Sequence, residues 1–338
     1  MNVSRNRILL CLVVIIVLIS GTIAMWTFHS KKPKFSGPPI KISLGTIPAE
    51  LSSLIWVAED SGFFTENGLD VTIKEYEAGA IAIKDLFAGR LEMCTVGEFV
   101  VAGFSFQRQD LRISAAIDKY DTNSVVARKD RGIEHLSDLR GKRIGVARGS
   151  QSEFCLARLL TLNSIPSQDV QMVDLIPSQQ ITSLENGEID AAIVWQPYVQ
   201  KLKDALGRNA VSLPGQSGQD LYWLLVSKDE IINKQPFLIH RFLSALLTAE
   251  RFINSNEAEA KAIVARRLGF DMPYLESIWK NNKFKVSLPQ ALLLTMEDQA
   301  RWLISSGLTN KTEIPDFLDF VYMQGLETLK PEAVTIIH

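Results

Sequence analysis

Residues 79–99 and 177–197 of this 338-residue chain follow one pattern. Each begins with a helical run that stops at a glycine, Gly89 in the first and Gly187 in the second. A charged residue comes next (Arg90 or Glu188), then a short apolar strand over 91–96 or 189–194, then an abrupt change to polar or bulky side chains. The two glycines lie 98 positions apart, and at that same offset Leu86 matches Leu184, Leu91 matches Ile189 and Glu92 matches Asp190. A helix feeding a buried strand that ends in an exposed loop is part of a parallel α/β unit. Two such units imply two lobes, and ligands of open α/β sheets sit beyond the carboxyl ends of the strands. The repeat therefore constrains both the fold and the place to look for a site.

Alternation of the same kind runs through the first two thirds of the chain. Strands are predicted over 40–44, 69–76, 91–96 and 111–117, with helices over 50–64, 80–87 and 99–106 between them. A strand over 124–128 follows, and the series restarts. A helical turn (135–139) precedes strands over 143–147, 170–175 and 189–194, interleaved with helices over 151–162, 179–185 and 197–206. The strand over 221–227 is the last; beyond residue 235 the pattern is helical only, with helices expected over 258–268, 274–282, 289–305 and 315–329. Leu238, Phe242, Ala245, Leu246, Ala249, Phe252 and Ile253 form one apolar face at steps of three and four. Such a tail must bury that face, and the first lobe is the simplest partner. The chain then crosses between lobes twice, near 121–124 and 222–226. Lobe 1 is expected over 40–123 and 225–338, lobe 2 over 124–224, with the two crossings as a hinge.

The composition is that of a globular protein, 46% hydrophobic and 22% charged. Five of the 36 basic residues fall in the first 34 positions, which carry no acidic residue. The rest has 31 basic against 38 acidic groups, which excludes a general nucleic-acid binder. Arg5 and Arg7 precede an apolar run over 8–28 broken only by Ser20, Gly21, Thr22 and Thr27. That run fits a signal peptide, and its length also suffices for a membrane anchor held with its N-terminus in the cytoplasm. Both readings of residues 1–30 export the remainder, and residues 31–39, rich in proline, read as a linker. Cys94 and Cys155 are expected as buried free thiols. The four histidines are scattered, and no zinc or iron–sulfur spacing exists.

Four motifs in order carry a resemblance to a known family. They are Trp56-Val-Ala-Glu-Asp-Ser-Gly-Phe-Phe with Asn67-Gly-Leu-Asp-Val; Leu139-Arg-Gly-Lys-Arg-Ile-Gly-Val-Ala-Arg-Gly-Ser150; Asn186-Gly-Glu-Ile-Asp-Ala191; and Trp195-Gln-Pro-Tyr198. From about Ile40 to the C-terminal helices the chain resembles periplasmic substrate-binding proteins of the nitrate/sulfonate/taurine type, a superfamily that includes binders of thiamine-pyrimidine precursors. The resemblance implies the type II periplasmic binding protein fold: two α/β lobes about a ligand cleft, two hinge crossings, and C-terminal helices packed on lobe 1. It implies a non-catalytic, extracytoplasmic monomer that delivers a small organic anion or zwitterion to the permease of an ABC importer. No cofactor is implied. The inner membrane is a further partner if the N-terminal segment stays uncleaved. A membrane-tethered sensing domain and a pyrimidine-synthesis-like enzyme are the alternative readings.

The candidate site residues lie where strands end. Arg148, Gly149, Ser150, Gln151 and Ser152 join a strand to a helix whose first N–H groups suit a carboxylate, sulfonate or phosphate. Ser150 and Glu153 also read as an ordinary capping box. Trp195 is either an aromatic wall or lobe core. Gln196 stands where many relatives carry an acid, which disfavours a cationic headgroup. In lobe 1, Thr46 and Pro48 follow the first strand, and Gly97 and Glu98 follow the first copy of the repeat. Glu98 is either a helix cap or a partner for a ligand amine.

Overall fold

The computed structural model describes residues 37–337 apart from Ser217 and Gln219. The signal or anchor segment lies outside the described residues. Among those described, no helix is long and apolar enough to cross a membrane.

Eleven strands form two sheets among the described residues. The first sheet runs in the order β2 (Leu69–Glu75), β1 (Ile40–Thr46), β3 (Met93–Gly97), β10 (Leu221–Lys228), β4 (Leu111–Tyr120), β11 (Asn282–Ser287). The second runs β7 (Gln171–Asp174), β6 (Arg143–Val146), β8 (Ala191–Val194), β5 (Ser124–Arg128), β9 (Ala210–Pro214). In each sheet three parallel strands stand in the order second, first, third, and a strand entering from a crossing is inserted antiparallel beside the third.

The sequence repeat is a structural repeat. Gly89 and Gly187 both close their helices in the left-handed region, at φ +72° and +73°. Leu44 and Gly45 of β1 pair with Met93 and Cys94, as Ile144 and Gly145 of β6 pair with Ala191 and Ala192. Glu92 accepts the N–H of Ser43 at 2.6 Å, and Asp190 accepts that of Arg143 at 2.9 Å. Each acid thus pins the strand it precedes to its neighbour. The close approach of Leu91 and Ile189 to the neighbouring strand requires glycine there. A Cβ on Gly45 would stand 2.5 Å from Leu91 Cδ1, and one on Gly145 2.7 Å from Ile189 Cδ1.

The C-terminal helices pack on the first sheet's lobe. Leu238, Ile239, Phe242, Leu246 and Ala249 of the Pro236–Ser255 helix are buried, and Phe242 meets Phe64 at a ring distance of 4.9 Å. The Ser53–Asp60 helix is buried along Leu54–Ala58, and its Trp56 donates to the Ala49 carbonyl at 3.0 Å. Arg267, held by Glu59 and Glu75, covers the Trp56 ring at 4.5 Å.

Four elements differ from expectation. Residues 282–287 form edge strand β11 in a region expected to be helical only: Phe284 and Val286 point inward while Lys283 and Lys285 face solvent. That period-two alternation, with lysines guarding a sheet edge, is a strand signal. Residues 315–329 form a short 3-10 turn (Phe317–Phe320) and one helical turn (Gln324–Glu327) rather than one helix. Strand β9 was not foreseen; it pairs with β5 through backbone groups alone. Finally, β10 begins at Leu221 within the first sheet, so the return crossing spans 215–220 and residues 221–224 belong with lobe 1. The crossings touch where Gly215 N–H donates to the Asn123 carbonyl at 3.1 Å and Gln216 Nε2 to that of Tyr120 at 2.8 Å.

Candidate functional site

The carboxyl ends of β1, β3, β4, β6 and β8 converge between the lobes. Loops leaving β1, β3 and β4 bring Ile47, Gly97 and Tyr120; β10 brings Trp223; the turn after β6 brings Ser150 and Gln151; the end of β8 brings Trp195. They enclose a chamber of about 30 Å³, room for one or two water molecules. This is a closed clamp. A vestibule of about 660 Å³ adjoins it, sharing Ile47 and Trp195 and lined farther out by Pro48, Gln196, Tyr198 and Tyr274.

Among the described residues no charged side chain lines the chamber. Helix ends supply partial positive charge at its wall. The Gly79–Phe87, Glu98–Ser105 and Gln151–Leu162 helices all begin at its wall, each bringing backbone N–H groups and a partial positive charge. Gln151 sits where two of these ends meet. It is 6% exposed, and its Oε1 accepts the Phe99 N–H of lobe 1 at 3.2 Å. That bond fixes the amide orientation and leaves Nε2 as a buried donor beside the Cys155 thiol one turn along the helix; the residue itself lines the chamber. Across it stand the Tyr120 ring and the indoles of Trp195 and Trp223. Trp223 Nε1 is occupied by Ser52 Oγ at 3.2 Å.

Other contacts hold the lobes together. Tyr274 Oη donates to Gln196 Oε1 at 2.6 Å, Ser178 Oγ to Glu77 at 3.1 Å, and Arg158 to Asp298 at 3.2 Å. Phe99, Phe154 and Trp302 form an aromatic triad across the interface, with centroid distances of 5.6 to 5.7 Å.

Of the residues singled out from sequence, Gly97, Ser150, Gln151 and Trp195 line the chamber, and Pro48, Trp195 and Gln196 line the vestibule. Ser150 does not cap its helix; its hydroxyl donates to the Ala147 carbonyl at 2.7 Å. Ser152 turns to the hinge and donates to Asn123 Oδ1 at 2.8 Å. Thr46 is fully buried behind the wall in a hydroxyl chain with Ser52 (2.8 Å) and Thr95 (2.5 Å). Arg148 and Gly149 face outward, away from the chamber. Arg148 pairs with Glu153 Oε1 at 2.6 Å, and Glu153 Oε2 accepts the Gly149 N–H at 2.7 Å.

Glu98 is a correction to the sequence reading. It points into lobe 1 rather than to the cleft mouth, accepting from the Tyr222 N–H at 2.9 Å and from Gln299 Nε2 at 2.8 Å. Burial pushes its carboxyl up to about 7, against the pull of those two donors. Sequence reasoning missed Tyr120, Asn123 and Trp223. All three flank the crossings, so a correct hinge boundary was the signal that could have found them.

A two-lobe α/β clamp closed over a chamber at its strand ends defines the periplasmic-binding-protein class, and solved structures share the fold. The alkanesulfonate-binding protein SsuA from Xanthomonas axonopodis pv. citri, bound to MOPS, is similar at TM-score 0.74 and 19% identity, covering 85% of this chain and 100% of that one. The desulfurization enzyme DSZB is similar at TM-score 0.64 and 16% identity, covering 86% of this chain and 98% of that one. Residues 52–260 match the NMT1/THI5 like family, and the chain belongs to it. Among relatives, a Bacillus subtilis (strain 168) protein provisionally named an aliphatic sulfonates-binding protein is 26% identical over 290 residues, 82% of this chain and 86% of its own length. The chain is a solute-binding protein of that family.

Proposed function

We propose that the chain captures a small organic anion of the sulfonate type outside the cytoplasm and delivers it to the permease of an ABC importer. One observation carries the ligand class: a chamber at three helix N-termini with no charged lining residue among those described, lined by the buried Gln151 side chain. Such a wall favours an anion that accepts hydrogen bonds and has none to donate. A zwitterion fits less well, because Glu98, the acid expected to meet an amine, is committed within lobe 1.

The role is binding and not catalysis. Ser150 is committed to a carbonyl, and burial pushes the thiols of Cys94 and Cys155 far above their ordinary range. Neither cysteine can supply a thiolate nucleophile. Thermal unfolding with ethanesulfonate, taurine, an aminopyrimidine and choline tests the reading. Ligand at about 100 times its Kd adds roughly 2.7 kcal/mol, so a rise with ethanesulfonate and none with choline is expected. Stabilisation by choline and by no sulfonate would sink it.

A further inference from the structure

Glu50 is fully buried, and neither of its carboxylate oxygens has a hydrogen-bond partner. It opens the Glu50–Ser52 turn, which packs among β4, β11 and the Met272–Trp279 helix. Asp118 of β4, also fully buried, lies within its electrostatic reach, with one oxygen on the Lys283 N–H at 2.8 Å and the other unpartnered. Tyr120 of β4 and Tyr274 of the helix are the other titratable groups within its electrostatic reach. From β11 the inward residues are Asn282, Phe284 and Val286, while Lys283 and Lys285 point out to solvent. No cation contributes to the environment of either carboxyl.

Two carboxylates buried together without a cation do not both stay ionised. Burial pushes Glu50 up to about 7 and Asp118 well above the usual carboxylate range, the latter reinforced by Glu50. A proton on Glu50 removes one charge and turns an orphaned acceptor into a donor.

The pair lies directly behind the ligand site. Glu50 follows Ile47, Pro48 and Ala49, which line the vestibule, with Ile47 also on the chamber wall. Tyr274 donates its single phenolic proton to Gln196 of lobe 2. While the lobes are latched that proton cannot serve Glu50. Once they part, the hydroxyl is released and water reaches the loop, and both stabilise an ionised Glu50. An anion in the chamber acts in the opposite sense, favouring the neutral form.

We propose that Glu50, with Asp118, is a proton-binding site of the clamp: closure over an anion takes up a proton at Glu50, and loss of that proton favours the open state. This rests on the anion-capture reading for its ligand arm only. The proton arm is read on the free protein, by infrared difference spectra of the protonated-carboxyl band and by small-angle scattering between about pH 5 and pH 9. The wild type should lose a carboxyl band as it opens, through one transition near neutrality. Glu50→Gln should lose the Glu50 component of that band, leaving the Glu98 and Asp118 carboxyls, and stay closed across the range, and Asp118→Asn should move the transition. The ligand arm measures ethanesulfonate affinity by calorimetry in two buffers of different ionisation enthalpy. Proton uptake on binding, with Kd weakening up to about tenfold per pH unit above the transition, is expected for the wild type and absent in Glu50→Gln. An unchanged pH profile in both Glu50→Gln and Asp118→Asn, or a carboxyl difference band undiminished in Glu50→Gln, overturns the proposal. Titrating closure without ethanesulfonate binding supports it and overturns the ligand reading alone.

Discussion

Replacing Gln151 by glutamate separates binding from stability. In the wild type Oε1 accepts the Phe99 N–H at 3.2 Å, and Nε2, also buried, is the donor assigned to the ligand. Glutamate keeps the acceptor and the shape, so the Phe99 bond survives. The new charge sits at the N-termini of two helices, a setting worth about 0.3–1 kcal/mol per helix end, which offsets part of its desolvation. Unfolding temperature should therefore change little. The ligand, by contrast, loses a hydrogen bond between a neutral donor and an anion, about 1.5–3 kcal/mol, and meets a like charge instead. At roughly 1.4 kcal/mol per tenfold, Kd for ethanesulfonate rises at least about 10- to 150-fold. Calorimetry measures the loss, and thermal unfolding of the free protein measures the brace. Gln151→Met is the comparator: it strands the Phe99 N–H and should cost about 1–3 kcal/mol of stability. Wild-type affinity in Gln151→Glu would refute the assignment of Nε2 to the ligand. Equal stability losses in both variants would reduce Gln151 to a brace between the lobes.

Two further outcomes follow from packing and burial. Gly145→Ala puts a Cβ 2.7 Å from Ile189 Cδ1 and 3.2 Å from Gln180 Cγ; denaturant unfolding should show a loss of about 1–3 kcal/mol, partly recovered in the double variant with Ile189→Ala, and additive losses would contradict the contact. Glu98, whose folded-state carboxyl is raised from the ordinary 4.5 to about 7, contributes stability that is full below about 4.5 and lost as pH rises to about 7. That contribution is roughly 3 kcal/mol at most, and Glu98→Gln should flatten stability over this window, an unaltered slope showing that Glu98 does not titrate there.

Much of the architecture was legible because it rests on local periodicity. The helix over Gln151–Leu162 and the strand Ser124–Arg128 were read to the residue, and Gly89 and Gly187 marked helix ends that only a left-handed residue closes cheaply. Strand β11 was obscured because its Lys-Phe-Lys-Val alternation follows a helix without a strong stop, and an edge strand exists only where a partner presents its backbone. The same holds for β9. In the site, Gln151 and Trp195 were found from their place at strand ends. Arg148 and Glu98 were misjudged because a charge near a cleft loop looks the same in sequence whether it faces the ligand or a buried partner.

By itself, the sequence determined that there are two α/β halves, that a strand in each runs out just before Gly97 or Trp195, and that a helix N-terminus at Gln151 follows a strand. Those are consequences of period, glycine placement and chain order, which need no knowledge of what lies across the cleft. Tertiary structure alone decided which groups face the chamber. It sent Glu98 to Tyr222 and Gln299, gave Arg148 to Glu153, latched Gln196 to Tyr274 and tied the Gln151 amide to Phe99 across the lobes. For Gln151 and Glu98 side-chain direction depends on partners more than 50 residues away in the chain, which no local pattern encodes.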